Sequence, residues 1–237
     1  MRILTVLAAI VLTTQAFSQQ RAEGAFMLWD NLLQKHVDSK GNVDYKGFCE
    51  DATFNTVLSS FSMMDPKSES WSDGKRYAFW INVYNAFTIK LICDNYPIKS
   101  ITDIKDPWKK KWIEINGSTF SLDQIENEIL RPQFKDARVH FAINCASISC
   151  PRLNNRAFFA ENLDRMLTQL ARDFINDETR NKLGKEKAEI SQIFEWFADD
   201  FAGRGGVTGY LNRYSALQID PNAEISYLEY NWNLNGK

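Results

Sequence analysis

The residue types best suited to catalysis are concentrated in one segment of the sequence, residues 139–151. It reads VHFAINCASISCP and holds His140, one of only two histidines, with two of the four cysteines, Cys145 and Cys150. A cysteine attacks a carbonyl carbon as the thiolate, so it needs a neighbouring base or a positive environment. Cys145 is therefore the candidate nucleophile and His140 the candidate base of a thiol-dependent hydrolase or acyl transferase that acts on an amide or ester.

The expected local structure sets a condition on this pair. Residues 138–144 alternate in character, which predicts a strand with His140 on the face opposite Val139. On a straight strand, two residues five positions apart face opposite ways and lie about 16 Å apart. His140 then serves Cys145 only if the chain bends sharply at the small residues after the strand. The other histidine, His36, near the end of a predicted helix, is the alternative partner.

Two further polar residues are candidates for holding the histidine in place. A third group orients the base in a catalytic triad, and Glu126 and Asn82 lie in predicted helices from which they can act in this way. The backbone N–H groups of residues 146–149 are candidate donors to the oxyanion. The predicted catalytic residues are therefore Cys145, His140, Glu126 and Asn82.

These residues also fit structural roles. Cys145 and Cys150 can form a disulfide or remain buried thiols, and His140 can be a core histidine bonded to backbone. Glu126 can be a solvated helix charge. Seven Trp, eight Tyr and sixteen Phe supply enough aromatic surface for a binding groove. The alternative function is then a non-catalytic binding module for a cell-envelope polymer, a peptide or a partner protein.

Several other chemistries are not favoured by the sequence. It has no Gly-rich phosphate loop and no G-x-S-x-G nucleophile elbow. With two histidines and no C-x-x-C spacing, a zinc site is not expected. Lysine and arginine number 28 against 30 acidic residues, so no basic field is available to hold nucleic acid. We expect no cofactor, no metal and no nucleic-acid partner, and a substrate that is a small molecule or a polymer of the cell envelope.

The N-terminal residues are typical of a cleaved signal peptide. Arg2 precedes an apolar run over residues 3–12, and small side chains stand at the third and first positions before Gln19. A membrane helix needs about 20 apolar residues, so stable membrane insertion is not expected. The prediction is a signal peptide over residues 1–18, one mature domain over residues 19–237, and a periplasmic or secreted location.

Export changes what the four cysteines imply. An oxidising compartment permits disulfides, and two disulfides among four cysteines allow three pairings. The cysteines concerned are Cys49, Cys93, Cys145 and Cys150. The sequence leaves their pairing open.

The elements that must position these residues are mainly helices. Apolar residues recur at helical spacing in residues 25–36, 75–95 and 162–174, and Ser191 begins a further helix through Phe201. The segment over residues 75–95 is apolar on nearly all faces, as expected of a central buried helix. Within it, the amides of Asn82 and Asn85 must either brace nearby backbone or line a polar cleft.

Short strands are predicted between the helices. Asn116–Gly117 is the turn of a hairpin, and Ser121 with Gln124 forms a capping box for a helix that ends before Pro132. Helices and short strands are mixed without a βαβ rhythm. They predict one α+β domain with a central buried helix and a small, mostly antiparallel sheet. The predicted strands are residues 112–115, 118–120, 138–144, 188–190 and 225–230.

Several segments together resemble one known family. They extend over nearly the whole mature chain and are similar to the family catalogued as domain of unknown function 547. Bacterial members of this family are often exported, in agreement with the signal segment. The resembling residues are 43–45, 77–86, 122–126, 130–131, 139–147, 149–151, 196 and 200–201.

The resemblance is compatible with a papain-like or transglutaminase-like cysteine hydrolase, with Cys145 and His140 in the matching motif. One departure is Asn127, which follows Ile125 and Glu126 at a position where family members often carry histidine. If that histidine takes part in catalysis in those members, this chain is inactive or uses another group.

Overall fold

Four helices open the described part of the chain. The computed structural model of the protein describes residues 23–203 and 205–236, so the predicted signal peptide over residues 1–18 lies outside the described residues. Helix α1 covers residues 23–36, close to the predicted 25–36. The helices that follow are α2 (Tyr45–Glu50), α3 (Ala52–Ser62) and α4 (Asp73–Asn95).

Helix α4 is the predicted central helix. Ser72 begins it, because the Ser72 hydroxyl accepts the backbone N–H of Lys75 as an N-cap. Every residue from Tyr77 to Ile89 is buried, so the rest of the chain covers α4 on all sides. The apolar side chains of α4 therefore form the middle of the core, as the sequence predicts.

The predicted hairpin is confirmed. Strand β1 (Ile113–Ile115) pairs antiparallel with β2 (Ser118–Phe120). Asn116 and Gly117 between them have φ angles of 47° and 74°, as a type I′ turn requires. The hairpin leads into the segment that carries Glu126.

A second sheet has three short strands. They are β3 (Lys182–Leu183), β4 (Lys187–Ile190) and β5 (Glu224–Tyr227), in that spatial order. Strands β3 and β4 are antiparallel, whereas β4 and β5 are parallel with Ile190 opposite Tyr227. Small sheets beside many helices make the fold α+β, as predicted.

The helix after the hairpin changes its winding twice. Ser121 and Gln124 form the predicted capping box at the start of α5 (Leu122–Gln124). The chain continues as a π-helical segment (Ile125–Leu130) and then as α6 (Arg131–Phe134). The predicted end before Pro132 is wrong, because Pro132 lies in the first turn of α6, where its missing N–H is tolerated.

The C-terminal half contributes three more helices, α7 (Leu163–Ile175), α8 (Ile193–Trp196) and α9 (Gly206–Tyr214). Helix α7 confirms the prediction for residues 162–174. The helix predicted from Ser191 through Phe201 is interrupted at Phe197, whose φ and ψ of −116° and 31° are not helical. A short 3₁₀ helix (Ala198–Phe201) follows and carries Asp200.

The predicted strand over residues 138–144 is wrong. The chain forms a 3₁₀ helix (Ala137–Phe141), which begins where the Asp136 side chain accepts the N–H of Arg138. All side chains from Val139 to Asn144 are buried. Their alternation therefore does not separate a core face from a solvent face. An alternating pattern predicts a strand only where one face is exposed, so it fails for these residues.

Aromatic packing fixes this 3₁₀ helix in the core. The Phe141 ring lies 5.1 Å from the ring of Phe174 in α7 and 6.0 Å from that of Phe194 in α8. It also lies 6.0 Å from the ring of Phe201. Such pairs stabilise by about 0.5–1.5 kcal/mol beyond their burial. They hold in place the backbone that carries the neighbouring His140, whose ring lies 5.4 Å from that of Phe201.

Candidate active site

A cavity of about 580 Å³ brings together most of the predicted catalytic residues. This volume is in the range of small-molecule sites, about 300–1,000 Å³. Cys145, His140 and Glu126 all line it, whereas Asn82 is not among its lining residues. The polar and sulfur-bearing side chains around it include Tyr84, Glu126, His140, Cys145, Cys150 and Tyr230.

The two cysteines lie at the ends of a tight loop, residues 144–151, which we call the thiol loop. Asn144 braces it: its Nδ2 donates to the Pro151 carbonyl at 2.7 Å and its Oδ1 accepts the N–H of Ala146 at 2.8 Å. Ala146 has a φ of 62°, in the left-handed region. This conformation is uncommon for a residue other than glycine, and it turns the chain back on itself.

The thiol loop places the two thiols side by side. The Sγ atoms of Cys145 and Cys150 lie 2.7 Å apart, and the backbone N–H of Cys145 donates to Cys150 Sγ at 2.9 Å. Both cysteines are free thiols. Cys145 is partly exposed, whereas Cys150 is buried. The disulfide considered for this pair is therefore absent, and of the two thiols Cys145 is the more accessible.

Hydrogen bonds favour the thiolate form of Cys145. The Cys150 thiol is the strongest contributor that lowers the pKa of Cys145, and the hydroxyls of Ser147 and Tyr230, each 3.3 Å from Cys145 Sγ, add to it. Burial and the neighbouring Cys145 raise the pKa of Cys150. Burial also raises the pKa of Tyr230, so that hydroxyl remains a donor. The pair is therefore asymmetric, with the negative charge favoured on Cys145.

His140 is held by a residue that the sequence analysis did not select, Asp200. The Nε2 atom of His140 lies 2.7 Å from Oδ2 of Asp200, and the imidazole ring stacks on Phe197 at 4.1 Å. Nε of Arg131 donates to the same carboxylate oxygen at 2.5 Å. The Asp200 carboxylate thus orients the His140 ring through its Nε2 atom.

Burial sets the charge of this pair. It lowers the pKa of His140 against the opposing effect of Asp200, and so favours the neutral imidazole. The hydrogen bond to His140 holds the pKa of Asp200 well below its ordinary value. A neutral imidazole oriented by a carboxylate is suited to accept a proton.

Glu126 lines the cavity but does not orient His140. Its Oε2 accepts a hydrogen bond from the Tyr84 hydroxyl at 3.1 Å. Burial raises the pKa of Glu126 to about 7, although the Tyr84 hydrogen bond opposes this shift. Glu126 therefore exchanges a proton near neutral pH. The π-helical segment that carries it is a type of distortion often found at functional sites.

The predicted orienting role of Asn82 does not match the geometry either. Its Nδ2 donates to the Phe158 carbonyl at 2.8 Å and its Oδ1 accepts the Phe158 N–H at 3.1 Å. Asn85 likewise donates to the Ala142 carbonyl and accepts the N–H of Asn144, each at 2.9 Å. Both amides brace backbone, the first of the two alternatives expected from the sequence. Through Asn144, Asn85 supports the thiol loop.

Most of the backbone N–H groups predicted to stabilise the oxyanion already donate hydrogen bonds within the protein. The N–H of Ala146 donates to Asn144, that of Ile148 to the Asn233 carbonyl and that of Ser149 to the Asn231 carbonyl. The backbone N–H of Ser147 is a small contributor to the lowered pKa of Cys145. Besides the Ser147 N–H, the donors nearest Cys145 are therefore side-chain hydroxyls, those of Ser147 and Tyr230.

The second histidine, His36, lies in a different environment. Its Nε2 is 3.1 Å from Oδ2 of Asp51, and it lines a separate surface pocket with Asp44 and Asn235. It is not among the residues that line the cavity. The alternative pairing of His36 with Cys145 therefore has no geometric support.

One disulfide is formed, between Cys49 of α2 and Cys93 of α4. It is one of the six cysteine pairs that four cysteines allow, and it leaves the two cysteines of the thiol loop unpaired. Its partners are 44 residues apart in sequence, so it ties together distant parts of the chain.

Four aromatic side chains, which we call the aromatic cluster, form part of the cavity lining. Trp196 stacks on Trp232 at 5.8 Å and lies 4.8 Å from Tyr230, and Trp108 contacts Trp232 at 5.6 Å. Trp196 is 44% exposed, which is unusual for so large an apolar ring. The cluster offers a ligand an apolar surface beside Cys145.

Within residues 23–203 and 205–236, no helix has the length and apolar character needed to cross a bilayer. No group of three or more His, Cys, Asp or Glu side chains there is placed to hold a metal ion.

Comparison with known families gives a match over the middle of the chain. The model of the family described as protein of unknown function, DUF547, matches residues 68–175, which include α4, the π-helical segment, His140 and the thiol loop. Comparisons with curated proteins and with solved structures give no match. The match confirms the resemblance to the DUF547 family over the part of the chain that holds the predicted nucleophile and base.

Proposed function

We propose that the protein is a thiol-dependent hydrolase or acyl transferase in which Cys145 attacks the carbonyl carbon of an amide or ester. One observation carries the proposal: a partly exposed cysteine whose hydrogen bonds favour the thiolate lies in the same cavity as a histidine oriented by a carboxylate. This is the donor and acceptor set that covalent acyl transfer by a cysteine requires.

The proposed reaction has two steps. In the first, the sulfur of Cys145 bonds to the carbonyl carbon, the bond from that carbon to nitrogen or oxygen breaks, and a thioester remains on Cys145. In the second, water or another acceptor attacks the thioester and releases the sulfur. His140 takes the proton of the attacking group and returns it to the leaving group, through Nδ1 because Nε2 is bonded to Asp200.

Other residues of the cavity support these steps. The hydroxyls of Ser147 and Tyr230, each 3.3 Å from Cys145 Sγ, are donors near the position where the oxyanion develops. Glu126, with a pKa of about 7, is a second group able to exchange a proton near neutral pH. We assign no orienting role to Asn82, whose amide is occupied by Phe158.

The proposed location is the periplasm or the extracellular space. The signal segment is the main reason, and the Cys49–Cys93 disulfide supports it, because disulfides persist in oxidising compartments. The substrate is then a small molecule or a part of an envelope polymer that fits a cavity of about 580 Å³.

A second candidate function is a non-catalytic binding module, which the exposed Trp196 and the rest of the aromatic cluster favour. In that case the cavity binds a polymer, a peptide or a partner protein without covalent chemistry. The two candidates differ in whether Cys145 becomes acylated.

The test is acylation of the reduced protein by a panel of activated esters and amides, followed by mass spectrometry of the intact protein and of its peptides. We expect one acyl group on Cys145, removable by hydroxylamine as a thioester. A panel in which the esters bind without any acylation of Cys145 would support the binding module instead.

The chain offers a matched control for the base. In both His140 and His36 the Nε2 atom is bonded to an aspartate, but only His140 lines the cavity. We expect His140→Asn to slow deacylation strongly, whereas His36→Asn leaves it unchanged in the folded protein. Equal effects of the two substitutions would remove His140 from the mechanism.

A further inference from the structure

The arrangement of the two thiols exceeds what acyl transfer requires, since that reaction needs one nucleophilic sulfur. We propose that Cys145 and Cys150 also form a thiol–disulfide exchange site for low-molecular-weight disulfides, with Cys145 as the attacking thiol and Cys150 as the resolving thiol. This is a second chemistry of the same cavity, and it does not depend on the proposed hydrolysis.

The positions of the two sulfur atoms support this division of roles. Both cysteines line the cavity, but only Cys145 is partly exposed, so a disulfide reaches Cys145 more readily than the buried Cys150. The Sγ atoms lie 2.7 Å apart, so closing a bond between them needs only local side-chain adjustment. The thiol loop is already held by Asn144 at Ala146 and Pro151, so its ends stay in place.

The proposed exchange is balanced in atoms and electrons. Cys145 thiolate attacks one sulfur of a disulfide RS–SR, forms the mixed disulfide Cys145–S–S–R and releases one RS⁻. Cys150, as the thiolate, then attacks Cys145 Sγ, forms the Cys145–Cys150 disulfide and releases the second RS⁻. The two cysteines are oxidised by two electrons, RS–SR is reduced to two thiols, and the protons of the two cysteines go to the released thiolates.

The order of the two steps follows from the contacts of Cys150. In the reduced state, burial and, after it, the neighbouring Cys145 keep Cys150 protonated. Once Cys145 is part of a mixed disulfide, it carries no charge and no longer holds the Cys150 proton in a hydrogen bond. The backbone N–H of Cys145, 2.9 Å from Cys150 Sγ, remains to stabilise the new thiolate. The first step therefore removes the contribution of Cys145 to keeping Cys150 protonated, while the contribution of burial remains.

The site differs from the other cysteine pair of the chain. Cys49 and Cys93 are already joined and lie in α2 and α4, and neither is among the residues that line the cavity. Their disulfide is an internal control for the experiment, because it must remain formed while the thiol loop changes its redox state.

The experiment uses oxidised glutathione as the probe on the full chain after mild reduction and removal of the reductant. We expect wild-type protein to form the Cys145–Cys150 disulfide with release of two glutathione molecules per chain, and Cys145 to react roughly five-fold faster at pH 7 than an ordinary thiol. Peptide mass spectrometry without reduction identifies the linkage, and released glutathione is counted by a thiol assay.

Two variants separate the steps. Cys150→Ser should accumulate a stable glutathione adduct on Cys145, and Cys150→Ala repeats this test in case the serine variant folds poorly. Cys145→Ser should give no adduct on the buried Cys150. Wild-type protein that keeps glutathione on Cys145, or shows no reaction at either cysteine, would overturn the proposal.

The result is independent of the proposed hydrolysis. Failure of acylation with normal disulfide formation would leave the exchange site standing. Acylation of Cys145 together with absence of the Cys145–Cys150 disulfide would remove the exchange site and retain the hydrolase.

Discussion

The two cysteine pairs of the protein occupy opposite kinds of environment. Cys49 and Cys93 join two helices through a disulfide, and Cys49 is exposed to solvent. Cys145 and Cys150 are free thiols within one short loop beside a cavity. The first pair is bonded across 44 residues of sequence, whereas the cysteines of the second pair are not bonded and lie five residues apart.

The difference shows which pair serves stability. A disulfide stabilises mainly by restricting the unfolded chain, and the effect grows with the length of the loop that it closes. A bond across the five-residue step between Cys145 and Cys150 would add roughly half as much stability of this kind as the bond between Cys49 and Cys93. The hydrogen bonds around Cys145 instead stabilise charge on one sulfur, which is the requirement of a nucleophile.

The largest expected effect comes from removing the sulfur at the cavity. In Cys145→Ala, turnover of any ester that acylates the wild-type protein should fall by about 10³-fold or more, because no other thiolate replaces the nucleophile. The free energy of unfolding should change by only about 1 kcal/mol, since the side chain is small and partly exposed. Turnover assays and urea unfolding measure the two values.

Either of two results for Cys145→Ala would contradict the contrast drawn between the two cysteine pairs. Retained turnover would exclude Cys145 as the nucleophile. A loss of several kcal/mol with little change in turnover would make the thiol loop a structural pair like the other one.

Removing Cys49 and Cys93 should have the opposite effect, with a loss of stability and no change in the reactivity of Cys145. The double substitution Cys49→Ser with Cys93→Ser should lower the free energy of unfolding by about 2–4 kcal/mol, as expected for a loop of this length. The rate at which Cys145 is alkylated in the folded protein should not change. A parallel drop in Cys145 reactivity would show that the two pairs are coupled.

The orienting carboxylate gives an intermediate effect. Asp200→Asn removes the charged acceptor of His140 Nε2, so deacylation should slow by about 10–100-fold. Asp51→Asn, the matched change beside His36, should leave the rate unaltered. The rates are measured on the isolated acyl protein by the loss of the acyl mass with time.

The smallest expected effect concerns Glu126 and the pH dependence of stability. Its pKa is about 7 in the folded protein against an ordinary value of 4.5, so the folded state binds this proton more tightly. The contribution of Glu126 to the free energy of unfolding is then largest below pH 4.5, and it is lost as the pH rises through about 7. Relative to Glu126→Gln, wild-type protein should lose about 1–3 kcal/mol between pH 5 and pH 8.

Urea unfolding of both proteins across this pH range checks the prediction. A difference between them that does not vary with pH would show that the environment of Glu126 does not disfavour its charge. The cavity around Glu126 would then be as well solvated as the surface around Cys49, and would not shift the pKa of its carboxyl group as an active site does.

Local patterns predicted much of the fold. The helices α4 and α7, the Asn116–Gly117 hairpin and the Ser121 capping box depend on residues close together in sequence, and all are present. The strand predicted over residues 138–144 is absent. The side chains of residues 139–144 are all buried, so their alternation does not distinguish a buried face from an exposed one.

The candidate site was only partly accessible to such reasoning. Cys145, His140 and Glu126 share a cavity, as their unusual residue types suggested. The partner of His140 is Asp200, 60 residues away, and no local pattern joins them. Asp200 lies in a segment of the family resemblance, which was the one signal that marked it. Pairing of Cys49 with Cys93 likewise depends on the packing of α2 against α4.

The central claim is that Cys145 is a thiol poised to react, and alkylation of the folded, reduced protein by iodoacetamide tests it most directly. Peptide mass spectrometry would give the rate at each cysteine from pH 5 to pH 10. The account predicts that Cys145 reacts first, with a midpoint below the value of about 8.5 for an ordinary cysteine, while Cys150 stays unmodified. A midpoint at or above that value, or modification of the two thiols only when the protein unfolds, would contradict it.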